Sequence, residues 1–383
     1  MKGRVYFPGL HALRFVAACL VIFHHIHQYK FWMDMPNNWG NPVIDAMGHK
    51  AVSFFFVLSG FLITFLLLAE NEKKGTISIS GFYLRRVLRI WPVYFLIVML
   101  ALWVLPALIP DQILSITTLP YSTFTVIALL AFIPNVLRIV NPTVVGANQL
   151  WSVGIEEQFY LIWPLLVKGF IKRVLPFLYF FVMLKFAGHI LLYGSSEMTG
   201  MLRPSQLLRL YELFPVEQMA IGAIGASFMY YQKDRMLQLI QSNVAFYISL
   251  LLIGLLTITG FHFLGLSYLE AVLFTIVIIN VTTRKAIYSQ LEHGVFLKLG
   301  DISYGIYMYH SLVIILVLTG LNYFFDGYSV TYNILLYTLS VGLTLVLSHL
   351  SYQYFEKPFL RMKNWLSIER LPIKINKTKR AHT

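Results

Sequence analysis

The sequence predicts an all-α polytopic integral membrane protein with about ten transmembrane helices. Of its 383 residues, 58% are hydrophobic and only 12% are charged, whereas about 25% of the residues of a typical soluble domain are charged. The apolar residues also fall in runs of about 20, the length that a helix needs to cross a bilayer. These two observations exclude a soluble globular protein.

Ten hydrophobic runs follow one another along the chain, and each predicts one transmembrane helix. They are residues 9–29, 51–69, 90–109, 152–169, 174–193, 211–231, 243–261, 265–283, 302–321 and 332–352. With the amino terminus in the cytoplasm, most Lys and Arg residues fall on cytoplasmic segments, as the positive-inside rule requires. The segments on the other side hold only Lys30, Lys50, Arg138, Arg203 and Arg209. We therefore predict that both termini are cytoplasmic, and we attribute the net charge of +13 to membrane topology rather than to nucleic-acid binding.

Three further segments complete the predicted organisation. The apolar run 121–133 is short and is followed by Pro134, so a re-entrant or interfacial helix is expected there. Residues 367–383 are polar and basic, which predicts a disordered cytoplasmic tail after one transmembrane domain, 1–366. The apolar start of the chain contains Arg14 and three histidines, and no small-residue cleavage site follows. It is therefore interpreted as a retained first helix and not as a signal peptide.

Two ionisable residues share one face of the first span. Arg14 and His25 are eleven residues apart, about three helical turns, so their side chains would project roughly 16 Å apart along the axis. Ionisable groups within a membrane are costly and usually face a protein interior or an aqueous cavity. A neutral imidazole suits general-base activation of a hydroxyl, so His25 is a catalytic candidate and His24 a further one. For His27 we favour the alternative that it reaches interfacial water.

A metal site is not predicted from these histidines, because no carboxylate or cysteine partner stands at helical spacing. Three arginines, Arg85, Arg86 and Arg89, precede the third span. Arg86 and Arg89 are three residues apart and would be neighbours on a helix. Arginine binds phosphate groups through paired N–H donors, which would suit a nucleotide-bearing donor that arrives from the cytoplasm. Anchoring against anionic lipid explains the same residues equally well.

Polar residues also mark other spans. Glu156 and Glu157 begin the fourth span and are catalytic candidates, although capping of the helix would also explain them. Adjacent residues point about 100° apart, so at most one of the two would face the same cavity as His25. For Ser59 and the glycine that follows it, close helix packing is the favoured explanation. The remaining candidates are Trp151, Tyr307, His310 and Glu356.

Taken in order, these segments resemble the membrane acyltransferase family 3, the bacterial polysaccharide O-acetyltransferases of the inner membrane. The resemblance extends from about Leu10 to Phe359. The segments that carry it are Arg14 to His25, FFFVLSGFLI at 54–63, Arg86-x-x-Arg89 with Pro92, WSVGIEEQFYLIWPL at 151–165, ISYGIYMYH at 302–310 and FEKP at 355–358.

The resemblance implies transfer of an acyl group, usually acetyl from acetyl-CoA, to a hydroxyl of an extracytoplasmic or lipid-linked glycan. His25 would match the family's essential histidine and Arg14 its partner arginine, and Arg86 with Arg89 would match the pair linked to acyl-CoA. Some members carry an aspartate where this chain has Ser53, and Asp45 is the candidate substitute. A stand-alone form without a C-terminal esterase-like domain is expected.

The expected partners are therefore acyl-CoA as a donor substrate, a glycan or lipid-linked saccharide as acceptor, and the lipid bilayer of the inner membrane. No permanently bound cofactor and no nucleic acid are expected. Two other classes compete with the enzyme. One is a transporter or flippase for a lipid-linked or anionic solute, although no internal repeat stands out. The other is a receptor or structural protein whose polar residues hold helices together. The sequence leaves open the acceptor, the acyl group, an acyl-enzyme intermediate and the oligomeric state.

Overall fold

The computed structural model of the protein describes residues 5–109, 121–140, 144–199, 202–232, 234–325 and 329–366. The predicted basic tail, 367–383, lies outside these ranges. Within them, the regular elements are helices. They are α1 Leu10–Trp32, α2 Pro42–Lys74, α3 Ile79–Leu108, α4 Thr123–Leu130, α5 Leu137–Val140, α6 Leu150–Gly169, α7 Val174–Thr199, α8 Leu202–Glu212, α9 Val216–Tyr231, α10 Asp234–Ile240, α11 Asn243–Thr259, α12 Leu266–Thr283, α13 Lys285–Leu291, α14 Gly294–Asp301, α15 Ser303–Asn322, α16 Val330–Leu350 and α17 Lys357–Leu366.

The lengths and apolar composition of the helices make this an all-α polytopic membrane protein. Among the described residues, seven helical segments are long and apolar enough to cross a bilayer. They are Leu10–Trp32, Pro42–Lys74, Ile79–Leu108, Ile171–Ser195, Leu266–Thr283, Ser303–Asn322 and Val330–Met362. The other three predicted spans coincide with shorter or more charged helices, namely α6, α9 and α11. Ten spans and cytoplasmic termini therefore stay predictions.

Several helices begin or end at residues that differ from the ends of the predicted spans, because local caps set the helix ends. Helix α2 extends well beyond 51–69, because the Asn41 side chain accepts a hydrogen bond from the Val43 amide (3.0 Å) and Gly75 ends the helix with φ 71°. Helix α3 begins at Ile79, capped by Ser78, so the three arginines lie within it. The predicted continuous span 211–231 is wrong, since α8 ends at Glu212 and Pro215 precedes a new helix.

The segment expected to be re-entrant or interfacial contains α4, which has eight residues. A helix of this length is about 12 Å long, far less than a bilayer requires. Its Ser122 cap accepts a hydrogen bond from the Thr125 amide (3.1 Å). The expectation that this segment does not cross the membrane as a helix agrees with its length.

Helix α2 lies at the centre of the bundle, in contact with α1, α9, α12 and α11. Its closest approach is to α9, where a Cβ atom added to Gly60 would lie 1.9 Å from the Met219 carbonyl oxygen. On the facing helix, a Cβ atom at Gly222 would lie 2.1 Å from the Val57 carbonyl oxygen. Small residues allow membrane helices to approach in this way. The explanation of Gly60 as a packing residue is confirmed.

Helices α1 and α2 are antiparallel, which defines the two ends of the bundle. Phe7, just before α1, packs its ring against Phe65 near the end of α2. The ring of His24, in the second half of α1, bonds to the carbonyl of Ile44 near the start of α2. We call the end with Phe7 the amino end of the bundle and the other the opposite end.

Candidate active site

Two cavities lie along α1 and nearly meet. The arginine cavity, of about 200 Å³, contains Arg14 and opens near the amino end. The histidine cavity, of about 400 Å³, contains His25 and lies toward the opposite end. Val52 and Tyr307 line both cavities. The two ionisable residues of α1 therefore belong to separate cavities with a thin partition between them.

Three guanidinium groups face the arginine cavity. Arg14 comes from α1, and Arg86 and Arg89 come from successive turns of α3. Arg86 packs between the rings of Phe82 and Tyr160, at 5.5 Å from each ring centre. Its Nε atom has no hydrogen-bond partner among the described residues. Because three arginines line the cavity with only one carboxylate, the cavity favours an anionic group.

That carboxylate is Glu156. The Ser59 hydroxyl donates to its Oε1 atom (2.7 Å), and the Tyr160 hydroxyl donates to its Oε2 atom (3.2 Å). Ser59 therefore fixes the position of the Glu156 carboxylate by a hydrogen bond. This role adds to the helix packing that was predicted for Ser59. Tyr160 was missed by the sequence analysis, although it lies one helical turn after Glu156 in the same motif.

Hydrogen bonds fix the tautomers of His310 and His25. The Nδ1 atom of His310 lies 2.6 Å from the Tyr307 carbonyl oxygen, which can only accept, so Nδ1 carries the proton. The Nε2 atom of a neutral His310 is then an acceptor. It lies 3.2 Å from Nδ1 of His25, which also lies 2.9 Å from the Val21 carbonyl oxygen. Flanked by two acceptors, Nδ1 of His25 must donate.

The consequence is that the Nε2 atom of a neutral His25 carries a lone pair. Within the described part of the chain, no side chain or backbone group bonds to this atom. His25 lines a cavity, so the lone pair is available to a proton or an electrophile. A general base or a nucleophile needs this arrangement.

The other two histidines of α1 differ in role. His24 lines the histidine cavity and its Nδ1 atom bonds to the Ile44 carbonyl (2.9 Å). His27 is buried, accepts a hydrogen bond from the Asn38 amide (3.1 Å) and bonds to the Tyr337 hydroxyl (2.8 Å). The expectation that His27 reaches interfacial water is wrong, because both ring nitrogens are bonded to the protein.

Tyr307 forms part of the partition between the cavities. Its hydroxyl lies 2.6 Å from the Ser152 hydroxyl and donates to the Gln149 carbonyl (3.2 Å). Trp151 lines the histidine cavity, where the Arg138 guanidinium lies 4.3 Å from the centre of its ring. Both predicted candidates therefore border the space around His25, and the sequence analysis did not select Ser152 or Arg138.

Four predicted site residues line neither cavity: His310, which contacts His25 (3.2 Å), and three residues that lie away from it. Arg85 forms an ion pair with Glu70 (3.0 Å). Glu157 accepts a hydrogen bond from the Trp91 indole (2.9 Å). Glu356 is buried and accepts a hydrogen bond from the Ser351 hydroxyl (3.2 Å). Each has a structural partner that accounts for its position.

No group of three or more His, Cys, Asp or Glu side chains among the described residues is arranged to hold a metal ion.

A family model described as an acyltransferase domain matches residues 7–352. The chain belongs to the acyltransferase 3 family. Both cavities and most of the helices that line them fall within the matched region.

Curated relatives of this acyltransferase 3 protein carry related names. "Putative O-acetyltransferase SAR0937" of Staphylococcus aureus strain MRSA252 is 25% identical over 96% of this chain and 60% of the relative. "Peptidoglycan O-acetyltransferase OatA" of Listeria monocytogenes is 29% identical over 45% of this chain and 26% of the relative. "O-acetyltransferase OatA" of S. aureus strain NCTC 8325 is 28% identical over 45% of this chain. The chain spans about three fifths of the length of the first of these relatives, and no solved structure matches it significantly.

Proposed function

We propose that this acyltransferase 3 protein transfers an acetyl, or similarly short acyl, group from acetyl-CoA to a hydroxyl group of an extracytoplasmic or lipid-linked glycan. The observation that carries the proposal is the pair of cavities on α1. One presents three arginines, the other presents the free lone pair of His25, and Tyr307 lies between them. Family membership and the names of the relatives support the same reaction.

The donor would bind in the arginine cavity. Its positive charge suits the phosphates of CoA, which bind arginine forks. A volume of about 200 Å³ is below the usual range of ligand pockets, roughly 300–1,000 Å³. It therefore suits the narrow pantetheine arm, with the nucleotide left at the mouth. The distribution of Lys and Arg predicts that this end is cytoplasmic, where CoA is found, and the membrane would be the cell inner membrane.

Chemistry would then take place at Nε2 of His25. In direct transfer, Nε2 removes the proton of the acceptor hydroxyl, the hydroxyl oxygen bonds to the thioester carbonyl carbon, and the carbon–sulfur bond breaks. The proton held by His25 then passes to the CoA thiolate. Alternatively, Nε2 bonds to the thioester carbonyl carbon and the carbon–sulfur bond breaks to release the CoA thiolate. The acceptor hydroxyl oxygen then bonds to the same carbon, the carbon–nitrogen bond breaks, and the hydroxyl proton passes to the thiolate. Both routes require the same tautomer, which His310 and Val21 maintain.

The acceptor would be a saccharide. The name of the Listeria relative specifies peptidoglycan, which is a glycan outside the cytoplasmic membrane. The histidine cavity lies toward the opposite end of the bundle, where such a substrate would enter if the amino end is cytoplasmic. Arg14, in the arginine cavity, would contact the donor away from the reacting carbon and hold it in position.

The first experiment measures base-labile acyl groups on surface glycans, with identification of the released acid, in cells that carry the wild type, His25→Ala or no copy. We expect acetate, or another short acid, only with the wild type. His349→Ala, an exposed histidine on α16, is the matched control and should retain the product. Full product with His25→Ala, at equal protein level in the membrane, would refute the proposal.

A second measurement separates the enzyme from a transporter or flippase. In proteoliposomes supplied with acetyl-CoA, we expect release of the free CoA thiol. Arg86→Lys should raise the KM for acetyl-CoA, because lysine lacks the planar fork. Arg85→Lys should not, since Arg85 pairs with Glu70 outside the cavity. Movement of a solute without CoA release would favour the transporter.

A further inference from the structure

A third and larger cavity adjoins the histidine cavity at the opposite end of the bundle. This wide cavity has a volume of about 680 Å³. It is lined by residues of eight helices and of the loop 260–265; the helices are α2, α5, α6, α7, α8, α9, α11 and α12. His49, Val52, Arg138 and Trp151 line both it and the histidine cavity. A molecule in the wide cavity would therefore lie next to the space that contains His25.

The cations of the wide cavity already have partners. Lys50 forms an ion pair with Glu270. The Lys185 ammonium donates to the Tyr211 carbonyl (2.9 Å) and lies over the Tyr211 ring. Arg138 lies over Trp151. Because these three cations already have partners, they contribute less to the binding of an anion in the wide cavity.

Its unpartnered groups are mainly hydrogen-bond acceptors. Glu217 and Gln218, adjacent at the start of α9, line the wide cavity and are each only 5% exposed. Glu217 Oε2, Gln218 Oε1 and Asp45 Oδ1 have no hydrogen-bond partner among the described residues. Buried oxygens of this kind are normally paired with a donor. The cavity therefore suits a ligand that brings several O–H groups, and a phosphate, which brings acceptors and negative charge, fits it poorly.

Size and aromatic lining support the same class of ligand. A volume of 680 Å³ lies within the usual range for small-molecule sites, roughly 300–1,000 Å³. Trp151, Tyr211 and Tyr268 line its wall, and a cation covers one face of the first two rings, Arg138 on Trp151 and Lys185 on Tyr211. Aromatic rings pack well against the apolar faces of sugar rings, while buried carboxylate and amide oxygens bind the hydroxyl groups at their edges.

We propose that the wide cavity binds a neutral, hydroxyl-rich saccharide and that Glu217 and Gln218 accept hydrogen bonds from its hydroxyl groups. Bound there, the saccharide directs one further hydroxyl past Trp151 into the histidine cavity. This inference rests on the proposed function, because it identifies the wide cavity as the acceptor site of the transfer reaction.

The test is calorimetric binding of a panel of neutral di- and trisaccharides of glucose, galactose and N-acetylglucosamine to the full chain in detergent. We expect at least one saccharide to bind the wild type. The same saccharide should bind Glu217→Ala at least about tenfold more weakly, because a hydrogen bond to a charged group is lost. Gln218→Leu, which keeps the volume, provides a second variant should Glu217→Ala fail to fold. Asp301→Asn is the control, because Asp301 is an exposed acid that lines none of the three cavities and pairs with His11 (3.6 Å).

Inorganic phosphate is titrated in parallel and should not bind at this site. The inference is overturned if no saccharide of the panel binds, or if both variants bind the saccharide as tightly as the wild type does. It is also overturned if phosphate binds the wild type and binds Glu217→Ala more tightly. CoA release is measured on the same preparations. Loss of CoA release with intact saccharide binding would count against the proposed function alone, and the reverse result would count against the wide cavity alone.

Discussion

The side chains of His25 and His310 meet although 285 positions separate them in the sequence. Both residues were selected from the sequence, but no sequence pattern gave His310 a partner. Arg14 and His25 could be selected because a charge or an imidazole in an apolar helix stands out, and Arg86 and Arg89 could be selected from their spacing. A contact between distant segments depends on helix packing, which no local pattern reports.

Removal of the His310 imidazole should impair His25 without affecting donor binding. His310→Ala leaves Nδ1 of His25 with a single acceptor, so the reactive tautomer and ring orientation are held less firmly. We expect kcat to fall by about 10- to 100-fold, less than the loss of a general base itself. The KM for acetyl-CoA should stay within about twofold, since His310 does not line the arginine cavity.

The comparison with His310→Gln distinguishes positioning from a general loss of structure. The glutamine amide oxygen can accept from Nδ1 of His25 and should restore much of kcat. Steady-state kinetics in detergent, with melting temperatures for each variant, provide the measurement. Equal loss in both variants with unchanged stability would contradict the positioning role.

At the scale of helices, the predicted spans agree with the described helices in approximate place, but several ends differ, and among the described residues only seven helices are long and apolar enough to cross a bilayer. The sequence pattern reports how many apolar residues follow one another. It does not report that the Asn41 cap extends α2, or that Pro215 divides the predicted span 211–231. These ends are set by individual hydrogen bonds and by the missing amide of proline.

The contact of α2 with α9 depends on Gly60 and Gly222. A glycine-to-alanine substitution in this contact should therefore lower stability much more than the same substitution where the added Cβ atom meets open space. Gly222→Ala would place a Cβ atom 2.1 Å from the Val57 carbonyl oxygen, so the helices must separate. We expect destabilisation by about 1–3 kcal/mol, the usual effect of overpacking. Gly254→Ala is the matched control, because nothing lies within 4 Å of its added Cβ atom and alanine favours a helix.

Thermal unfolding of the purified variants in detergent measures this difference. Gly222→Ala should lower the melting temperature clearly, and Gly254→Ala should leave it unchanged or raise it slightly. Equal melting temperatures for the two variants would mean that the α2–α9 contact is looser than described.

At the scale of the whole molecule, the class of fold followed from composition and run length, because 12% of the residues are charged, against about 25% in a typical soluble domain. The three cavities could not be predicted from composition or from the length of the apolar runs. Their walls combine side chains from up to eight helices, such as Glu217 of α9 with Tyr211 of α8. Orientation in the membrane rests only on the distribution of Lys and Arg.

Orientation can be measured with single cysteines in a Cys19→Ser background, since Cys19 is the only cysteine. Pro36→Cys, exposed in the loop between α1 and α2, should react with a membrane-impermeant maleimide in intact cells. Gly294→Cys, exposed at the start of α14 with open space around it, should react only after the cells are permeabilised. The opposite pattern would show that the amino end faces outward.

Tyr307 and Val52 are the two residues that line both the arginine cavity and the histidine cavity. A bacterium stores energy as a proton gradient across the membrane in which such a protein would sit, and a continuous file of water through the bundle would discharge it. The Tyr307 side chain, held by Ser152 and Gln149, borders both cavities, so any such file of water would have to pass its ring. If the proposed function is right, the acyl group passes the same ring, and the width that admits it also decides whether the membrane stays sealed to protons.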